Sequence, residues 1–429
     1  MIPRYSLPVI ADLWTDEAKY ETWTKVELLA SAAQASIGVV PADDLALIRH
    51  GRAPRPERVA EFERTRDHEV LAYLAAFTET IPGDAARWVH HGMTSYDLVD
   101  TALGYTLATS CDLILRATTR LRDTLARRAL EHWDTPCVAR THGIHAEPTS
   151  FGQKLAVHAF AADRSVGRLT AAREAVAVGT ISGSVGTYSR IDPRVEQQVC
   201  AELGLGVEPV PTQVVARDRH AQLLSAIALL GAVVEQLALE LRLLQRTEVA
   251  EVEEPRTTAY QGSSAMPHKR NPTTAERLCG IARILRANAG AAYENVALWH
   301  ERDLAHSSVE RIVFPDSLIA AHYQVSSAAD LVEGLRVFPD RMLRNLGRTN
   351  GLIYSSAVLL DLVSDGMDRD KAYREIQAAS VEAAEGRGDL ATALRARGVP
   401  VDDEQFTPAS FLGSRGILRE RLETLAARS

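Results

Sequence analysis

Cysteine is scarce in this 429-residue chain: Cys111, Cys137, Cys200 and Cys279 lie far apart, with no CxxC pair. A disulfide scaffold is excluded, and the four thiols read as reduced and packed. An excess of positive charge is also missing. Lys and Arg number 48 against 56 Asp and Glu, a net charge of −8 that favours solubility and offers no footprint for nucleic acid. Glycine and proline, 26 and 18 residues, are too few for a collagen-like or low-complexity chain. Disorder as the main state is excluded by a 46% hydrophobic content. Long hydrophobic runs are absent as well. The most apolar stretch, Leu223 to Val234, meets Glu235 and falls short of the roughly 20 residues a bilayer crossing needs. Arg4 and Asp12 interrupt any apolar core of a secretory signal. A soluble, cytoplasmic protein is expected. No repeat of solenoid period is visible. Neither is a Walker loop, a GxGxxG after a strand, an HExxH or a GxSxG elbow, so no nucleotide cofactor and no metal are expected.

What the chain has in quantity is helical periodicity. Between residues 212 and 254 there is no proline and a single glycine, Gly231. Leu223, Ile227, Leu230, Val234, Leu237, Leu241 and Leu244 step by fours and threes, an a/d seam. Leu224, Leu229, Val233 and Leu239 are apolar off that seam, which predicts burial on more than one face. Some forty helical residues would span about 60 Å, a length that suits an elongated bundle continuing into other subunits. Residues 101–133, 151–178, 274–298 and 317–335 read as further helices. Period-2 patterns are rare, so little sheet is expected. The chain reads as all-α in three parts: an N-terminal helical domain (1–93), a central long-helix bundle domain (94–345) and a small C-terminal helical domain (346–429). Three linkers, 179–193, 255–272 and 299–315, are rich in Gly, Ser, Thr and His and carry the unusual chemistry.

Four clusters stand out. In Gln261-Gly-Ser-Ser-Ala-Met-Pro-His-Lys-Arg-Asn-Pro272, the hydroxyls of Ser263 and Ser264 share a turn-rich segment with Lys269, Arg270 and Asn271. Pro272 is well placed to open the next helix. Hydroxyls, cations and a helix N-terminus together suit a carboxylate-bearing ligand. In Arg140-Thr-His-Gly-Ile-His-Ala-Glu-Pro-Thr149, His142 and His145 precede a helix start at Ser150. A helix-capping turn and a general acid/base histidine both fit; zinc does not, for want of further ligands at metal-motif spacing. In His90-His-Gly-Met-Thr-Ser-Tyr-Asp97, Thr94 and Ser95 can cap a helix near Asp97, and caps also bind anions. His68, in Arg66-Asp-His-Glu69, reads by itself as structural. Between Trp299 and Arg311, the side chains of Arg302, Ser307 and Arg311 either converge on a phosphate or simply begin a charged helix.

Together and in this order, the clusters resemble the adenylosuccinate lyase family of the fumarase/aspartase superfamily. The resemblance runs from Pro3-Arg-Tyr-Ser6 to about Tyr373 and weakens beyond it. The superfamily shares a loop of the form GSSxMPxKxNP, which related lactonising enzymes also carry in large part. The Arg-Thr-His-Gly-Ile-His-Ala-Glu-Pro-Thr motif discriminates better, since fumarases and argininosuccinate lyases have a His-Leu-Gln type sequence there. The resemblance implies a cofactor-free β-elimination in purine nucleotide biosynthesis. Fumarate is cleaved from adenylosuccinate, leaving AMP, and from the succinylaminoimidazole carboxamide ribotide. It also implies a homotetramer built on the long helices, with three subunits contributing to each active site. By resemblance Ser263 is the base and His142 the acid, and Glu276 pairs with the acid histidine. Thr94, Ser95, Ser264, Lys269 and Asn271 hold the succinyl carboxylates, with Thr141 and Gln213 near them. Arg4, Tyr5, Arg302, Ser307 and Arg311 bind the ribose-phosphate and base end. His68, Glu69 and His90 line the site.

The sequence departs from the family pattern in two places. Asp67 stands before His68, where the family usually has Arg, Lys or Asn, and Glu69 follows where the family has Asp. Tyr96 replaces a small residue after Thr-Ser. Neither touches the elimination machinery, and both bear on the nucleotide end. The alternative reading is therefore a superfamily relative that eliminates fumarate from another N-succinyl compound.

Overall fold

The structure, a computed structural model, describes residues 1–256 and 264–428. It is 67% helical, which makes the class all-α. The residues form two compact units. The first comprises Met1–Thr118, Arg164–Val234 and Gly280–Ser326; the second comprises Thr119–Asp163, Glu235–Cys279 and Ser327–Ser429. The elements that position functional side chains are, in chain order, α1 (Asp16–Ser36), α2 (Pro56–Arg66), α3 (Glu69–Thr78), α4 (Ser95–Glu131), β1 (Pro136–Thr141), β2 (Ile144–Ser150), α5 (Phe151–Val176), α6 (Asp218–Gln245), α7 (Thr273–Glu294), α8 (Ala305–Glu333) and α9 (Arg369–Ala384).

The predicted seam is real. Every one of its seven residues, Leu223 to Leu244, is at most 3% exposed. The helix is shorter than the sequence promised: 28 residues, about 42 Å. Ahead of it, the Asp100 carboxylate takes the Val215 N–H at 2.8 Å and holds that segment out of the helix. Behind it, Ala250 turns the chain at φ 52°, and the Glu251 N–H returns to the Leu244 carbonyl. Off the seam, Leu224 is buried, but Leu229 and Leu239 are 52% and 47% exposed, so burial on several faces is not met within one chain. By length and composition α4 and α6 are both long and apolar enough to cross a membrane, contrary to the reading of one short apolar run. About half of each apolar window is buried inside the protein, as in core helices.

Another boundary also moves. Helix α8 begins at Ala305, not beyond Pro315, and carries that proline inside it. Ser307 and Arg311 therefore stand one turn apart on the same helix. Sheet is confined, among the described residues, to three two-stranded pairs. The largest is the β1–β2 hairpin, which occupies the motif read as a capping turn.

In the first unit, Tyr20, Trp23, Tyr73 and Phe77 pack ring on ring, with Tyr73 stacked on both Tyr20 and Phe77. The same unit buries a charge cluster. Arg217 reaches Asp100 at 2.6 and 2.9 Å and Glu310 at 3.2 Å, and all three are under a tenth exposed. Burial pushes the Asp100 carboxyl up, but Arg217 outweighs it and holds the carboxyl low. In the second unit, Val358, Leu362, Ile376 on α9, Leu390 and Leu394 form a small helical core. Arg415 donates to the Trp133 carbonyl at 2.8 Å and the Ser150 hydroxyl at 2.7 Å, pinning the foot of the hairpin. The four cysteines are free and buried.

Replacing Arg217 with Met leaves two buried carboxylates without a cation. The expected loss is about 3–5 kcal/mol, read as a lower urea midpoint. A loss below about 1 kcal/mol would show that the cluster does not hold these helices.

Candidate active site

The first unit gathers eleven of the sequence-selected residues. Asp67 ends α2 in the left-handed conformation, φ 48°, with its N–H on the Glu63 carbonyl. Asp tolerates that conformation better than most residues, so the departure at this position has a backbone explanation. His68 caps α3: its Nδ1 accepts the Leu71 N–H at 3.3 Å. Its Nε2 faces the Ser95 hydroxyl at 3.5 Å, so these two predicted residues meet. Glu69 is ion-paired to Lys19 at 2.6 Å and to Arg311 at 2.5 Å. Burial pushes its carboxyl up, yet the two cations outweigh this and hold it below the ordinary range.

His90 lies at φ 61°, and its Nδ1 sits 2.6 Å from the fully buried Glu27. Gly92, two residues on, has φ +75°, and a Cβ there would meet the Arg190 carbonyl at 2.5 Å. Only glycine lets the His90–Thr94 turn lie this close to its neighbour. Thr94 and Ser95 open α4. Asp97, three residues after Thr94, accepts the N–H groups of Thr94, Ser182 and Gly183 at 2.8, 2.9 and 3.1 Å. Its carboxyl is pushed up to about 6 because burial outweighs these bonds. Asp97 thus ties the 179–193 linker to the start of α4.

At the start of α8, the Arg302 Nη1 donates to Gln213 at 2.9 Å, and Gln213 donates to the Ser184 carbonyl at 2.8 Å. The guanidinium lies over the Tyr96 ring, 3.7 Å from its centroid. Ser307 hydrogen-bonds the Tyr96 hydroxyl. Glu69, Tyr96, Ser307 and Arg311, with Trp14 and Trp23, line a cavity of about 290 Å³. Arg4 and Tyr5 are not part of this group. Tyr5 packs against Tyr323, and the Met1 amino group pairs with Asp316. Tyr323 follows Ser307 by sixteen residues on α8, about 24 Å along the axis.

The second unit holds the other five described residues of the prediction beside His142. His142 and Gly143 form the two-residue tip of the β1–β2 hairpin, at φ 54° and +80°. Two successive positive φ values are the type I′ turn that matches strand twist, and glycine supplies the second at no steric cost. Thr141 pairs with Ile144 and Arg140 with His145 across the strands. Arg140 is fixed by a two-pronged bond to Glu251 at 2.7 and 3.2 Å, and Asn345 donates to the same carboxylate. The tip itself is exposed, and no described residue bonds or pairs with the His142 side chain.

Of the signature loop, Ser263 lies outside the described residues. Residues 264–270, which include Ser264 and Lys269, are exposed, and Asn271 is half-buried. Arg270 is committed to Glu253 at 2.9 Å, which leaves Lys269 as the loop's free cation among the described residues. The helix N-terminus is committed too. Glu254 accepts the Thr274 and Ala275 N–H groups at 3.1 and 2.7 Å, so it caps α7 where a ligand carboxylate was expected. Glu276, one turn into α7, is exposed and without a side-chain partner among the described residues. No three His, Cys, Asp or Glu side chains among the described residues are grouped to hold a metal.

Sequence reasoning missed three residues that organise these groups: Glu27 behind His90, Glu251 behind Arg140, and Asp97 across the linker. All three are buried acids, and only Glu27, between Val26 and Leu28, stood in an apolar stretch that signalled it.

A family model described as "Lyase" matches residues 9–285, and one described as "Adenylosuccinate lyase C-terminus" matches residues 351–421. The first match, spanning most of the long helices and the whole signature loop, makes this a lyase of the fumarase/aspartase superfamily. Adenylosuccinate lyase of Bacillus subtilis (strain 168) is 46% identical over 383 residues, 89% of each chain. The adenylosuccinate lyase of Synechocystis sp. is 47% identical over the same length and shares. A solved fumarate lyase structure from Mesorhizobium sp. BNC1 superposes with a TM-score of 0.89 at 28% identity, covering 98% of this chain and 99% of that one. The chain belongs to the adenylosuccinate lyase family.

The His90–Glu27 pair carries a pH signature. Burial lowers the His90 pKa, but Glu27 outweighs it and leaves the imidazole raised above 6.5. A raised histidine contributes its stability in full below 6.5, and that contribution is lost as pH rises through the raised value. Glu27→Gln is expected to bring the His90 titration midpoint, followed by NMR, to or below 6.5. An unmoved midpoint would assign the shift elsewhere.

Proposed function

We propose that this lyase releases fumarate from adenylosuccinate, leaving AMP, and from the succinylaminoimidazole carboxamide ribotide. The observation that carries the reading is the hairpin tip: His142 is displayed at a rigid type I′ turn, exposed, with Arg140 beside it anchored by Glu251. A histidine held this way, with no partner among the described residues, is placed to give a proton to a departing nitrogen. Family membership at 46–47% identity supports the substrate pair.

In this mechanism Ser263 takes the proton from the carbon next to a succinyl carboxylate. The electron pair left behind spreads onto that carboxylate, which Lys269, Asn271, Ser264, Thr94 and Ser95 stabilise through their positive charge and N–H or O–H donors. The carbon–nitrogen bond then breaks with its electrons passing to nitrogen, and His142 protonates it. Fumarate and a free amine leave, and Glu276 orients the histidine. Thr141 and Gln213 lie beside the carboxylates, and His68, Glu69 and His90 line the site. Arg302, Ser307 and Arg311 hold the phosphate, with Arg4 and Tyr5 supplied from a neighbouring subunit.

Sharing of sites in a homotetramer belongs to the same reading. It is supported by the exposed apolar residues Leu229, Leu239 and Leu243 on α6, Ile284 on α7 and Ile312 on α8. The three-part division into 1–93, 94–345 and 346–429, a cytoplasmic location and the lack of a cofactor complete it. The alternative, a relative acting on another N-succinyl compound, draws its support from Asp67 and Tyr96.

Purified protein is expected to release fumarate from both substrates. Ser263→Ala and His142→Asn should each cut kcat by at least about 100-fold while the oligomer persists. Near-normal turnover in either variant would remove that residue from the mechanism. Turnover of neither substrate by the intact oligomer would favour the alternative.

A further inference from the structure

We propose that Tyr96 is a positioning residue that presets Arg302 and Ser307 as one anion-binding pair. The inference rests on the reading above that these two groups hold the substrate phosphate. Tyr96 is 6% exposed, at the first turn of α4. Its ring supports the flat face of the Arg302 guanidinium at 3.7 Å, within the range of a cation–π contact. Its hydroxyl bonds Ser307 on the first turn of α8. One side chain therefore fixes both members of the pair.

The manner of the support matters. Stacking uses the guanidinium face and none of its N–H donors. The one donor taken by protein is Nη1, which goes to Gln213. The Arg302 Nε is buried without a partner, and no described residue bonds Nη2. The Nε–Nη2 edge, the fork that binds an oxyanion with two parallel hydrogen bonds, is therefore spent on no protein group among the described residues. Arg311 is the opposite case, because its Nη2 is spent on Glu69 and must be released or shared. A small residue at position 96 would leave Arg302 tethered through Gln213 alone. Ordering the arginine would then fall on substrate binding, and the affinity for the phosphorylated end would drop. The Cβ proton transfer and the nitrogen protonation do not involve this end of the site, so kcat should move little.

The test compares adenylosuccinate with its dephosphorylated nucleoside in steady-state fumarate release. Two variants divide the contacts: Tyr96→Phe keeps the ring face and loses the hydroxyl, and Tyr96→Leu keeps apolar volume and loses both. We expect KM for adenylosuccinate to rise about threefold in Y96F and about tenfold or more in Y96L. kcat should stay within about threefold, and KM for the nucleoside should be unchanged. A merely structural role would alter both substrates alike. Arg302→Ala is run beside them. If it raises KM for adenylosuccinate selectively and the Tyr96 variants do not, the positioning role is overturned while the phosphate reading stands. If Arg302→Ala has no selective effect, the phosphate reading itself fails and the proposal fails with it.

Discussion

The Arg217 guanidinium is taken out of water between Asp100 on α4 and Glu310 on α8, immediately ahead of α6. Three helices are therefore registered by one cation. Asp100 also holds the Val215 N–H, which fixes where the seam helix starts. Glu310 lies between Ser307 and Arg311 on α8, so the same contact sets the rotation of the helix that presents them. Burying these charges is costly, and burial pushes the Glu310 carboxyl up to about 7 despite its cation. An apolar trio would pack as well. It would not specify the register of α4 against α8, on which the alignment of Tyr96 with Ser307 depends.

The same division of labour recurs in each motif. One group is tied down by a carboxylate, and a group beside it is left free. Arg140 is held by Glu251, and His142 two residues on is exposed. Arg270 is held by Glu253, and Lys269 beside it is exposed. Thr94 gives its N–H to Asp97 and keeps its hydroxyl in the half-buried opening of α4. A reactive or binding group needs unspent hydrogen-bonding capacity, and it needs a fixed origin. Carboxylates supply the origin through backbone and guanidinium partners, so the functional side chains need not.

Much of this was legible in the sequence. The seam from Leu223 to Leu244 announced its own burial through spacing alone, and the motif residues announced the lyase family through their order. The hairpin was not legible as such. Cross-strand bonding links residues on either side of a His-Gly dipeptide, and Ala, Glu and Pro in its second strand mask the period-2 pattern. The start of helix α8 was not legible, because Pro315 reads as a boundary in sequence whereas packing of a long helix outweighs one missing hydrogen bond. The contacts of Tyr96 were beyond reach for a different reason. A departure at one position says that something changed there; that its ring lies on Arg302 is a long-range fact, set by how α4 and α8 pack.

The four buried cysteines have a practical consequence. Burial pushes the thiols of Cys111, Cys137 and Cys200 up to about 12, so almost no thiolate exists in the native state at neutral pH. Thiolate is the reactive form, and these sulfurs are inert to alkylation until the helices around them part. Cys111 and Cys200 belong to the first unit, Cys137 and Cys279 to the second. The molecule thus carries its own labels for local opening, two in each half, and the rate at which each sulfur becomes modifiable reports the breathing of its own surroundings.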